Sequence, residues 1–165
     1  FATHEAGPAT DWAGNAQIGD VLSIGGPRSS LAVSDDFDWY LLIADETALP
    51  ALARRVETVR RGVPVVTIAT IFDEAEKQHF ETESEWKPVW VTRGEPSSDD
   101  LARVRAVIDS LDLPSGDGFV WIGGESSFVR GLRATFIERG HPREWIHASG
   151  YWKRGASDVH EVIDD

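Results

Sequence analysis

The chain has 165 residues, 41% of them hydrophobic, which is ample for one globular domain and short for two complete ones. It has no cysteine, which excludes a disulfide framework and any thiolate metal site. Its net charge of −12 argues against wrapping nucleic acid, because phosphate neutralisation needs clustered Lys and Arg.

No apolar run approaches the length of a membrane span, and no signal-peptide pattern is present. The expectation is a soluble, cytoplasmic protein with no membrane insertion. Methionine is absent, so Phe1 is not expected to be the native start and the chain reads as a fragment. Seven tryptophans are core residues or platforms for flat ligands.

The first part of the chain, "THEAGPATDWAGNAQIGDVLSIGGPRSSL", is rich in glycine and punctuated by proline. It reads as a short helix from Ala9 to Ala16, a Gly-Asp turn and a strand from Val21 to Gly25. It stands apart from the rest of the chain, and a domain boundary is placed near Ser34–Phe37.

From Asp36 onward, strand and helix patterns alternate. Asp38–Ala44 is a mostly apolar run, as in a strand covered on both faces. Leu49, Leu52, Val56 and Val59 mark one face of a helix, with Gly62 as a stop signal. Val63–Ile71 is β-branched and reads as a second buried strand. The acidic stretch between Phe72 and Lys87 reads as a loop with one helical turn. Pro88–Thr92 is a third strand, and Ser97 with Asp100 resembles a capping box. Leu101, Val104, Ile108 and Leu111 give the next helix. Gly118–Gly123 is a fourth strand. Phe128, Leu132 and Phe136 mark a helix closed by Gly140 and Pro142, and Glu144–Ala148 is a fifth strand. The fold class is α/β: a three-layer, Rossmann-like parallel sheet of five strands.

Ligands of open α/β sheets sit beyond the carboxyl ends of the strands. Three junctions therefore matter. At Asp45–Thr47 the acidic pair serves acid–base chemistry, the Thr47 hydroxyl holds a dinucleotide, or the residues only cap a helix. At Thr92–Gly94, Arg93 is a phosphate fork or a surface arginine. At Gly123–Ser127, two glycines and a helix N-terminus suit an anion, or make a tight turn capped by Ser126. "SGYWKRG" at 149–155 sets two aromatics beside two cations. The histidines have no metal-ligand spacing, and no GxSxG or triphosphate P-loop occurs.

Together, "HEAGPATDWAGNAQIGDVLSIGGPRSS", "WYLLIADETALPAL", "FVWIGGESSFVRGLR" and "SGYWKRG" resemble the siderophore-interacting protein family. These are flavin-dependent ferric-siderophore reductases, distant relatives of the ferredoxin–NADP reductase superfamily. The resemblance implies an N-terminal FAD-binding β-barrel followed by an α/β domain that binds NADPH or NADH. Residues 1–35 are then the C-terminal remnant of the barrel, and 36–165 the NAD(P)H-binding-like domain. The rest of the barrel, with its main flavin motif, would lie upstream of Phe1. The remnant's FAD contacts would be His4, Gly7, Pro8, Ala9 and Trp12. NAD(P)H would meet Asp45, Glu46, Thr47, Gly123, Gly124 and Glu125, with Arg93 in the place of an arginine that holds a 2′-phosphate. Tyr151 and Trp152 would lie at the flavin–nicotinamide face. Lys153 and Arg154 would belong to a basic pocket for the negatively charged ferric siderophore.

The implied activity runs from NAD(P)H through FAD to siderophore-bound Fe(III), releasing Fe(II), with no protein metal ligand and no acid–base role for Asp45 or Glu46. Two other readings stand beside it. One is a general NAD(P)H-dependent flavin or electron-transfer reductase. The other, for this piece alone, is a non-catalytic nucleotide-binding domain that holds FAD poorly.

Overall fold

Strand β1 (Trp39–Ala44) is buried along its whole length, because its apolar run is covered on both faces. The computed structural model describes residues 8–25, 33–94, 97, 99–155 and 161–163. The chain divides into two compact units, Phe1–Asp35 and Asp36–Asp165.

In the first unit, helix α1 spans Pro8–Asn15, within a residue of expectation. The strand expected over Val21–Gly25 does not form. Val21 and Ile24 are 89% and 85% exposed, and the segment joins no ladder among the described residues. A β-rich sequence without a pairing strand leaves its backbone to water and has no reason to hold an extended register.

In the second unit, β1 leads to α2 (Leu49–Thr58), β2 (Pro64–Ile71) and β3 (Glu85–Thr92). Then come α3 (Asp100–Ser110), β4 (Gly118–Glu125), α4 (Ser126–Glu138), β5 (Ile146–Trp152) and a short β6 (Glu161–Val162). The strand order is β3-β2-β1-β4-β5-β6. The first five strands are parallel, as expected of crossover helices, and β6 adds an antiparallel edge.

Three strands run longer than their sequence signals, β4 by Gly124 and Glu125. β3 begins at Glu85 rather than Pro88, since an edge strand tolerates charge and proline on its open side. β5 starts only after a 3-10 turn at Arg143–Trp145 and continues to Trp152, carrying the aromatic pair into the sheet.

The core lies in two layers set by strand alternation. Leu41, Ile43, Val66, Ile68, Val120 and Ile122 pack with Val104 and Ile108 of α3 and Val129, Leu132 and Phe136 of α4. On the opposite face Leu49 of α2 meets Ala69 and Ile71, with Trp90 beside them. The order reverses between β1 and β4, so the crevice beyond their carboxyl ends is where a ligand is expected.

Candidate functional site

The β1 exit is organised by one carboxylate. Asp45 is 4% exposed and accepts four hydrogen bonds. Its Oδ1 takes the Thr47 N–H at 2.9 Å and the Thr47 hydroxyl at 2.5 Å. Its Oδ2 takes the Glu125 N–H at 2.8 Å and the Trp152 indole N–H at 2.9 Å. Buried charge is tolerated only when its lone pairs are filled in this way. A single side chain thus joins the ends of β1, β4 and β5, and caps the 3-10 turn Glu46–Ala48.

Gly124 is required by this arrangement. It sits at φ +145°, and a β-carbon there would stand 2.6 Å from Asp45 Oδ2. Just beyond it the β4–β5 register slips: Gly124 pairs with Gly150, but Glu125 pairs with Trp152. Tyr151 is the extra residue, a bulge of the kind that re-aims side chains. The buried Ser126 hydroxyl donates to the Trp152 carbonyl at 3.1 Å, holding the strand from the α4 side.

The anion-binding helix end expected after Gly123–Gly124 is already filled. Glu125, not Ser126, caps α4, its carboxylate accepting from Ser127 N–H at 2.7 Å and Phe128 N–H at 2.9 Å. The macrodipole therefore faces a resident carboxylate. The other oxygen of Glu125 takes the Arg154 N–H at 3.3 Å.

Arg93 is no surface arginine: its side chain is 1% exposed. It pairs with Glu46, donates to the Gly94 carbonyl at 2.9 Å, and sets Nε 3.2 Å from Asp100 Oδ2, out of line for a hydrogen bond. Burial pushes the Glu46 carboxyl above its ordinary range, and the Arg93 guanidinium pulls it back. The expected capping box at Ser97 takes another form. Ser97 N–H donates to Asp100 Oδ2 at 3.1 Å, while α3 itself has Asp99 as N-cap without a side-chain bond.

Asp45, Arg93, Glu125, Trp152 and Arg154 line one small solvent-open notch. Thr70, Ser97, Asp100 and Phe128 complete it and were not singled out as ligand contacts from the sequence. Thr70 stands one residue before the end of β2, so its position near a strand exit was the available signal. Lys153 and Arg154 are exposed just past β5. On the α2 face, the Arg55 guanidinium lies 5.0 Å over the ring of Trp121, which meets Tyr151 edge-on at 6.5 Å. Burial pushes the Tyr151 phenol up, and Arg55 opposes it. Of the expected flavin contacts, His4 and Gly7 lie outside the described residues. Pro8 and Ala9 open α1, and Trp12 lies half-buried within it.

Residues 37–155 match the family described as "Siderophore-interacting protein". The chain belongs to this family. Residues 1–31 match its "Siderophore-interacting FAD-binding domain". Among relatives of this siderophore-interacting protein is an NADPH-dependent ferric-chelate reductase of Escherichia coli (strain K12), 31% identical over 92% of this chain and 59% of its own length. A siderophore utilization protein from T. fusca superposes with a TM-score of 0.85 at 35% identity, covering 96% of this chain and 61% of its own. The siderophore-interacting protein SipS from Aeromonas hydrophila gives 0.80 at 26% identity, over 96% and 62%. The chain therefore spans about six tenths of the length of these three relatives. Among the described residues no helix is long and apolar enough to cross a membrane.

Proposed function

We propose that this siderophore-interacting protein is part of a ferric-siderophore reductase that uses NAD(P)H and FAD. The observation that carries the reading is the convergence of Asp45, Glu125 and Trp152 at the β1/β4 switch point, in a chain of this family. Residues 1–35 are read as the end of the flavin barrel, and 36–165 as the domain that presents the nicotinamide.

The residues present suit the ring end of a dinucleotide better than its phosphate end. Gly123 and Gly124 give their side-chain space to Trp121, Ala48 and Asp45 at the β4 exit, beside a half-buried indole. The α4 N-terminus is occupied by Glu125, and Arg93 by Glu46 and Asp100. Asp45–Thr47, Gly123–Glu125, Tyr151 and Trp152 would hold the ring end, and Pro8, Ala9 and Trp12, with His4 and Gly7, would meet the flavin. The flavin, when bound, supplies the conversion of two-electron into one-electron chemistry. The chain orients the reactants. Thr47 keeps its hydroxyl turned to Asp45, and its oxygen can still accept from a carboxamide. Lys153 and Arg154 supply exposed positive charge to draw in a negatively charged ferric siderophore.

The test is anaerobic turnover of the full-length protein with NADH and with NADPH, trapping Fe(II) released from ferric siderophores. Joint substitution K153A and R154A should raise KM for anionic ferric siderophores by about tenfold and leave dye reduction unchanged. A protein that reduces dyes but no ferric siderophore, and is indifferent to these substitutions, is a general flavin reductase. One that takes up no FAD is not a flavin enzyme at all.

A further inference from the structure

Trp152 is only half-buried, yet several independent devices fix it. Its ring N–H is held by Asp45, its carbonyl by Ser126, and its strand position by the register slip at Tyr151. Ordinary packing does not ask this of a ring at a sheet edge, because a half-exposed indole is free to choose among rotamers. Asp45 is fixed in turn. Its other three donors come from Thr47 and Glu125, and Gly124 gives up its side chain to make room. The restraint runs from β1 through the carboxylate to the indole, across a sequence separation of 107 residues.

We propose that Asp45 is a positioning residue, whose carboxylate fixes the plane of the Trp152 ring so that it offers one rigid flat face to the cofactor rings. The inference rests on the reductase reading above. It assigns Asp45 no contact with hydride or proton. A ring held in one plane before binding gives up no rotamer entropy when a flat ligand settles on it. A ring free to swing blurs the distance over which transfer takes place.

Two measurements on the full-length protein test this, using the variants D45N, W152F and their combination. The first follows indole N–H exchange in protein carrying ¹⁵N-tryptophan, with Trp152 identified by its missing signal in W152F. Exchange in the native protein should be slower than that of an exposed indole by at least about tenfold, and D45N should abolish that protection. The second follows the limiting rate of flavin reduction at saturating nicotinamide. W152F and D45N should each lower it by about tenfold, and the double variant should fall no further than the worse single one. W152F keeps Asp45 and its other three donors, so it decides the matter even where D45N fails to fold. An unprotected Trp152 indole, a wild-type rate in W152F, or multiplying losses in the double variant would each overturn the proposal. A full-length protein that takes up no flavin overturns the reductase reading instead, and there the exchange measurement alone still decides whether Asp45 holds the ring.

Discussion

Asp45 and Gly124 compete for one place. A β-carbon on Gly124 would stand 2.6 Å from Asp45 Oδ2, at a backbone φ of +145° that side chains rarely adopt. Gly124→Ala should therefore cost about 2–4 kcal/mol, through strain and displacement of the carboxylate. Gly62→Ala is the control, since it has positive φ but open space around it, and should cost only about 1 kcal/mol. Equal melting temperatures for the two variants would refute the crowding.

Thr47 donates its hydroxyl to Asp45 and stands at the entrance to α2. Thr47→Ala loses that bond but leaves the Thr47 backbone N–H on Oδ1. We expect a stability loss of about 1 kcal/mol and a larger loss in nicotinamide use by the full-length protein. Denaturant titration beside steady-state kinetics checks the ratio. A variant that loses stability alone marks Thr47 as a capping residue only.

Arg93 neutralises Glu46 inside a buried corner and lies against Asp100. Arg93→Met should destabilise by about 3–5 kcal/mol, because it strands two carboxylates with no counter-charge. The loss should shrink when Glu46→Gln is added, and chemical denaturation of the single and double variants measures that coupling. A loss below about 1 kcal/mol would place the arginine at the surface instead.

Glu125 occupies the N-terminus of α4 with its own carboxylate. Glu125→Ala should cost about 1 kcal/mol of capping and free two N–H groups for an external anion. Inorganic pyrophosphate should then raise the melting temperature of the variant and leave the native protein unmoved. Stabilisation of the native protein to the same degree would mean that anions bind elsewhere.

His141 packs against Trp39, Phe136 and Trp145, far along the chain from the β1 exit. Burial pushes its pKa below the ordinary 6.5, against a hydrogen bond with the Gly118 backbone. Between the lowered value and 6.5 the unfolded chain binds the extra proton, so the native state loses stability as pH falls through that window. His141→Phe should lose less melting temperature than the native protein between about pH 7.5 and about pH 5.5. Identical pH profiles would remove His141 from the acid response.

The strand and helix order from β1 to β5 was legible because burial on two faces and helical spacing are local patterns. "WYLLIA" needs no partner to read as a covered strand. The extension of β3 to Glu85 was not legible, because an open edge accepts Glu and Lys that a buried strand would reject. The strand expected at Val21–Gly25 failed for the opposite reason: β propensity describes a fit to neighbours, and that segment has none in the described structure.

The sequence by itself determined which junctions fall at the carboxyl ends of the strands. Strand exits are fixed by the alternation of elements, so Asp45, Arg93 and Gly123–Glu125 could be placed on one edge without coordinates, while Trp152 was set near them only by the family resemblance. Only the tertiary structure decided how their charges are spent. Whether Arg93 meets water or Glu46, whether Glu125 or a ligand fills α4, and whether Asp45 holds Trp152 all depend on how the chain folds in space. Hydrogen bonds and ion pairs act over a few ångströms of space, and linear spacing carries no record of that distance.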